Sequence, residues 1–176
     1  MTKIVAIVGA KKTGKTTTAL NLIAELSNRG YKVAVIKYVP DRYFSVDKPG
    51  TDSYHYVEQG AKTVVVASAN ETVTIEKPLV QPLSVERLIE KCQGNDIILV
   101  EGGNQIFAKN ADVPKISIVN NREQALFALE NFQPIIAFSG PFNTEKVVAT
   151  IGYSDATKNV KKLADFLEEK LFKSNK

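Results

Sequence analysis

The sequence predicts an α/β fold: an open, mostly parallel sheet with helices on its faces. Three observations carry that prediction. Short β-branched runs at Ile4–Val8, Val33–Ile36 and Ile97–Val100 are apolar at every position, as strands covered on both faces are. Segments of helical spacing separate such runs, so strand and helix alternate. The first run ends in a glycine-bearing loop that leads straight into a helix, a strand–loop–helix arrangement that brings a loop to the carboxyl end of a parallel strand.

The elements follow in order. After Ile4–Val8, a helix is expected from Thr16 to Arg29, with Leu20, Ile23, Ala24 and Leu26 on its apolar side and Gly30 beyond its end. Lys32–Lys37 is the second strand, and one helix between two buried strands implies a parallel crossover. Tyr38 to Asp52 is a polar loop punctuated by Pro and Gly, a length more often functional than idle. Ser53 to Gln59 reads as a short helix stopped by Gly60. Thr63–Ala67 and Thr72–Ile75 pair as a β-hairpin extension across Ala69-Asn70. Ser84 caps a helix reaching Lys91. Ile97–Val100 leads into Glu101-Gly102-Gly103, and Lys115–Val119 and Pro134–Phe138 are further strands around a helix from Arg122 to Asn131. Val160, Leu163, Ala164, Leu167 and Leu171 form the stripe of a long last helix, whose lysines, Asp165, Glu168 and Glu169 make a solvated face.

Composition narrows the function. The 176 residues are 44% apolar and 24% charged, which predicts a single domain over 1–176 with a sizeable core. One cysteine, Cys92, excludes an intrachain disulfide and a thiolate cluster, and one histidine, His55, excludes sites built on two imidazoles. The net charge of +4 does not by itself argue for nucleic acid. No apolar run approaches the roughly 18 residues of a membrane span. A cytoplasmic protein with neither nucleic acid nor membrane as partner is expected.

Gly9-Ala10-Lys11-Lys12-Thr13-Gly14-Lys15-Thr16 fits GxxxxGK[ST], with a strand before and a helix after. Such a loop turns its amide hydrogens onto phosphate oxygens at a helix N-terminus. Lys15 is expected on the outer phosphates and the Thr16 hydroxyl on Mg²⁺. The fold class is therefore that of P-loop nucleoside triphosphatases. Asp47 and Asp52, in the loop after the second strand, are candidate Mg²⁺ ligands, since that ion prefers oxygen donors; Asp52 also suits a helix N-cap. Glu101, ending an apolar strand, resembles a Walker B acid with Glu for Asp, and is a candidate metal ligand and orienter of water. Lys37 faces either nucleotide or solvent, and Gln105 is read as solvated.

Asp47-Lys48-Pro49-Gly50-Thr51-Asp52-Ser53, followed by Gly60-Ala61 before a Val-rich strand, resembles the hallmark segment of the molybdopterin-guanine dinucleotide biosynthesis adapter proteins, the MobB family. The Ile36-Lys37 and Val100-Glu101-Gly102 strand ends and Pro114-Lys115 are similar too, and the likeness runs to about Val119. The resemblance implies a GTP-binding protein with weak GTPase activity, usually a homodimer, that assists the molybdenum cofactor guanylyltransferase, with molybdopterin as a further partner. It implies GTP and Mg²⁺ as ligands. Carried over by position, Gly9, Gly14, Lys15, Thr16 and Thr17 bind phosphates, alongside Ala10, Lys11, Lys12 and Thr13 of the same loop, with Lys15 and Glu101 in catalytic roles. The chain departs from the family where histidines often follow the second-strand Lys (here Tyr38-Val39-Pro40), at Lys11-Lys12, where small residues are usual, and at Gly103-Asn104, where an aromatic and a Lys are common. No Asn-Lys-x-Asp is present, and Asn120-Asn121 is its faint stand-in. The alternative is a small-molecule kinase using ATP, against which the four scattered arginines weigh.

Overall fold

The computed structural model describes residues 2–77 and 84–173, and in Gln105 the backbone alone. In chain order the elements are β1 (Lys3–Val8), α1 (Lys15–Asn28), β2 (Val33–Lys37), α2 (Asp52–Glu58), β3 (Thr63–Ala67), β4 (Thr72–Glu76) and α3 (Val85–Glu90). There follow β5 (Ile97–Glu101), α4 (Asn104–Phe107), β6 (Lys115–Ile118), α5 (Arg122–Asn131), β7 (Ile135–Ser139), β8 (Gly152–Tyr153) and α6 (Val160–Glu168). The chain divides into two compact units, one formed by residues up to Pro40 together with those from Leu88 onward, the other by Asp41–Arg87.

The first unit holds a six-stranded parallel sheet in the order β2-β5-β1-β6-β7-β8. The β1 and β2 strands are parallel, as the short helical link predicts, but they are not neighbours: β5 is inserted between them. All five residues of β5 are buried, and each buried Ile, Leu or Val contributes about 1.5–3 kcal/mol. Leu22 and Leu26 of α1 and Leu163, Ala164 and Leu167 of α6 complete a core with Val5, Ile7, Leu99 and Ile116. The α1 helix ends where Gly30 was expected: the Gly30 amide donates to Ser27 and the Tyr31 amide to Leu26, closing a Schellman turn. One face of α6 is less solvated than its composition predicts. Arg29, the C-cap of α1, reaches across to Asp165 at 2.8 Å and Glu168 at 3.0 Å, so two of those acids tie the helices together.

In the second unit β3 and β4 form the antiparallel hairpin that the alternating pattern predicts, with Val64 facing Ile75 and Ala67 facing Thr72. The Asp47–Ser53 segment is a closed turn. Asp47 Oδ1 accepts the hydroxyls of Thr51 and Ser53, each at 2.9 Å, and Lys77 Nζ lies 3.8 Å from Oδ2. Thr51, not Asp52, is the N-cap of α2, accepting from the Tyr54 amide. Asp52 sits in the first turn, where its charge suits the helix dipole.

Two of the remaining expectations fare differently. Ser84 accepts from the Arg87 amide, as an N-cap does. Asn121 caps α5 by accepting from Gln124, so its side-chain oxygen already has a donor.

Candidate functional site

At the carboxyl end of the first unit's sheet lies a cavity of about 750 Å³. Its floor comes from three consecutive places in the sheet: the loop after β1, the end of β5 and the end of β2. Gly9, Ala10, Lys11, Lys12, Gly14, Lys15 and Thr16 line it from the first of these, with Glu101 and Lys37 opposite. Thr13 is buried, its hydroxyl closing the loop on the Ala10 carbonyl at 3.0 Å. Thr17 follows in α1, exposed and outside the lining. Asp47 and Asp52 belong to the second unit.

The sequence explains the loop's shape. Gly9 has φ 145°, and a Cβ there would stand 2.6 Å from the Ile118 carbonyl oxygen of the neighbouring β6. No side chain fits. Lys12 is the only non-glycine residue with positive φ, at 60°, among the described residues; holding a lysine in that region costs about 1–2 kcal/mol, and such strain gathers at functional sites.

The start of α1 carries neither a side-chain cap nor an acid. Most helices place an oxygen-bearing side chain at the N-cap and acids in the first turn. Here the N-cap is Gly14, with no side-chain cap, and the first turn has no acidic residue but starts on Lys15. Its first amide hydrogens therefore lack a side-chain acceptor. Lys15 Nζ bonds the carbonyls of Gly9, at 3.1 Å, and Ala10. Burial pulls the Lys15 pKa down; Glu101 partly restores it, and Lys37 lowers it further. An ammonium so placed gains from a polyanion.

Glu101 is the second focus. In the sheet register its Cα pairs with Ile7 on one side and Lys37 on the other. Its Oε1 accepts the Thr16 hydroxyl at 3.2 Å, and its Oε2 pairs with the Lys37 ammonium. Gly102 must then turn sharply: its φ is 87°, and a Cβ would lie 2.7 Å from the Tyr38 carbonyl oxygen. Thr16 and Glu101 together offer hydroxyl and carboxylate oxygens beside a cation, a donor set that fits Mg²⁺.

Sequence reasoning missed Asn104. It lines the cavity, and its Nδ2 donates to the Gly9 carbonyl at 3.2 Å, tying the turn after β5 to the loop after β1. Two glycines before it hid the short α4 helix on which it sits, and only its departure from the family pattern marked it.

Comparison with known proteins identifies what this arrangement resembles. The family model described as "Molybdopterin guanine dinucleotide synthesis protein B" (MobB) matches residues 4–140. A molybdopterin-guanine dinucleotide biosynthesis adapter protein of Escherichia coli K12 is 31% identical over 182 aligned positions, covering 99% of this chain and 97% of that one. One of Haemophilus influenzae is 28% identical over 169 positions, covering 94% and 87%. The crystal structure of Bacillus subtilis MobB superposes with a TM-score of 0.72 at 23% identity, covering 96% of this chain and 98% of the other. A likeness of that degree establishes the fold.

Proposed function

The chain belongs to the MobB family and serves molybdopterin guanine dinucleotide biosynthesis, and from that premise we propose that it does so as a GTP-binding adapter. The cavity takes the triphosphate. The observation that carries this reading is the loop after β1 itself: an uncapped, acid-free helix start with the desolvated Lys15 ammonium hydrogen-bonded to backbone carbonyls. Lys11 and Lys12 add positive charge at the rim, and Glu101 is the only carboxylate in the lining among the described residues.

With nucleotide bound, Lys15 would turn from the Gly9 and Ala10 carbonyls to the outer phosphates, and Thr16 with Glu101 would hold Mg²⁺. That ion would supply charge neutralisation at the phosphates. Glu101, held between Thr16 and Lys37, would orient water for a weak GTPase reaction. The adapter works as a cytoplasmic homodimer beside the guanylyltransferase that joins GMP to molybdopterin.

Titration with GTP and ATP in the presence of Mg²⁺ tests the reading. Selective GTP binding, weakened about ten- to hundredfold in Lys15→Ala, is expected from the loss of a charge-assisted contact. Equal binding of ATP would overturn guanine selectivity and favour the kinase. Unchanged affinity in the variant would overturn the site.

A further inference from the structure

Lys37 has no role in the phosphate-loop pattern, yet it is built into the cavity. It is the last residue of β2, and the insertion of β5 beside β2 makes it the register partner of Glu101. Its ammonium holds Glu101 Oε2 while the Thr16 hydroxyl holds Oε1. The two partners differ in freedom. The Glu101 side chain is 8% exposed and fixed by the fold, whereas that of Lys37 is 54% exposed. The carboxylate stays where it is, and the lysine can leave.

Chemistry gives the lysine a reason to leave. The Lys37 ammonium and a divalent cation are alternatives at one carboxylate. When Glu101 serves a metal ion, a second positive charge beside it becomes repulsive, and the four-carbon stem of Lys37 can carry that charge elsewhere in the same cavity. The cavity then contains the outer phosphates, which carry the highest density of negative charge. Tyr38, Val39 and Pro40 beyond Lys37 offer no competing acid.

We infer that Lys37 is a second triphosphate-binding lysine, parked on Glu101 in the empty site and transferred to the terminal phosphate in the loaded one. It thereby distinguishes a triphosphate from a diphosphate, which lacks the group Lys37 would reach. This rests on the GTP reading above and assigns a further residue to that site.

Fluorescent GTP and GDP analogues titrated into the full chain with Mg²⁺ test it. In Lys37→Met, affinity for the triphosphate falls about tenfold or more, the worth of one charge-assisted contact. Affinity for the diphosphate changes less than about twofold on the same reasoning. The Mg²⁺ concentration that half-saturates diphosphate binding falls, because the competing ammonium is gone. Lys37→Arg, which keeps the charge, retains the triphosphate preference. Equal losses for both nucleotides, or none, overturn the inference while leaving GTP binding intact. A wild-type chain that binds no GTP, or one whose binding survives Lys15→Ala, overturns the underlying reading and this inference with it. Lys37→Gln replaces the Met variant if melting shows that the latter is unfolded.

Discussion

The two ends of the six-stranded sheet treat a lysine in opposite ways. At the carboxyl end, Lys15 and Lys37 line an open cavity, and their partners are two loop carbonyls and one carboxylate. At the amino end, Lys115 opens β6 with no exposed surface at all, its ammonium sealed onto the carbonyls of Asn110 and Gln133. Burial lowers the pKa of Lys15, and it lowers that of Lys115 to about 8. The difference lies in whether a partner can be exchanged. Lys115 is fully buried and pairs with no acid among the described residues, so its contacts fasten the loop before β6 to the chain before β7. The cavity lysines have somewhere else to go. A buried positive charge marks a binding site only when an incoming anion can reach it.

The largest expected effect breaks the open end by filling it. In Gly9→Ala the new methyl meets the Ile118 carbonyl at 2.6 Å, in a backbone conformation that side chains rarely adopt. Overpacking and backbone strain together cost about 3 kcal/mol. Chemical denaturation should show that loss, and nucleotide binding should vanish with it. A variant as stable as wild type would show that the loop moves away from β6 freely.

The closed end is probed by pH. The Lys115 pKa is about 8 in the folded chain against 10.5 without burial. Below pH 8 both states carry the proton, and the cost of burying the charge is fully present. Between about pH 8 and 10.5 the unfolded chain binds more protons, so stability rises with pH. The gain is about 3 kcal/mol at most. Denaturation of wild type and Lys115→Met across that range isolates it: the difference in stability should move in favour of wild type as pH rises. A flat difference would mean that the ammonium is solvated, and the contrast between the two ends would fail. Nucleotide affinity should be unaffected by this substitution.

Much of the open end was legible because its signal is local. A strand, a loop and a helix carry the phosphate-binding pattern within fourteen residues either side of Gly14, and the acid after β5 stands out against an apolar run. The hairpin was legible for the same reason, its period of two lying in adjacent segments. What sequence does not encode locally was missed. The insertion of β5 between β1 and β2, which pairs Lys37 with Glu101, depends on contacts more than sixty residues apart. The β8 strand has two residues and no pattern to detect. Lys115 was placed in a strand, but its residue type argues for the surface, and only the two carbonyls that fold onto it make burial tolerable. Gln105, read as solvated, has its side chain outside the described residues.

The smallest effect concerns the second unit, where Asp47, a Mg²⁺ ligand by sequence expectation, sits in a closed polar cluster. Asp47 has the residue type and loop position of a metal ligand. Yet Oδ1 already accepts two hydroxyls, and Oδ2 is buried 3.8 Å from Lys77 without a hydrogen bond. A cation would have to compete with these groups. Asp47→Asn keeps an oxygen for Thr51 and Ser53 and removes only the charge. If the turn is closed in the manner of Lys115, the substitution destabilises the chain by about 1 kcal/mol, the order expected of hydrogen bonds that lose their charged partner. The Mg²⁺ requirement of nucleotide binding then stays where it was. If Asp47 is instead a ligand, the Mg²⁺ concentration for half-saturation rises about tenfold or more, since one of few charged oxygens is lost. The two outcomes are read from one titration beside one denaturation curve. An increased Mg²⁺ requirement with unchanged stability would move Asp47 from the closed class to the open one, and exchangeability of partners would then no longer be confined to the sheet's carboxyl end.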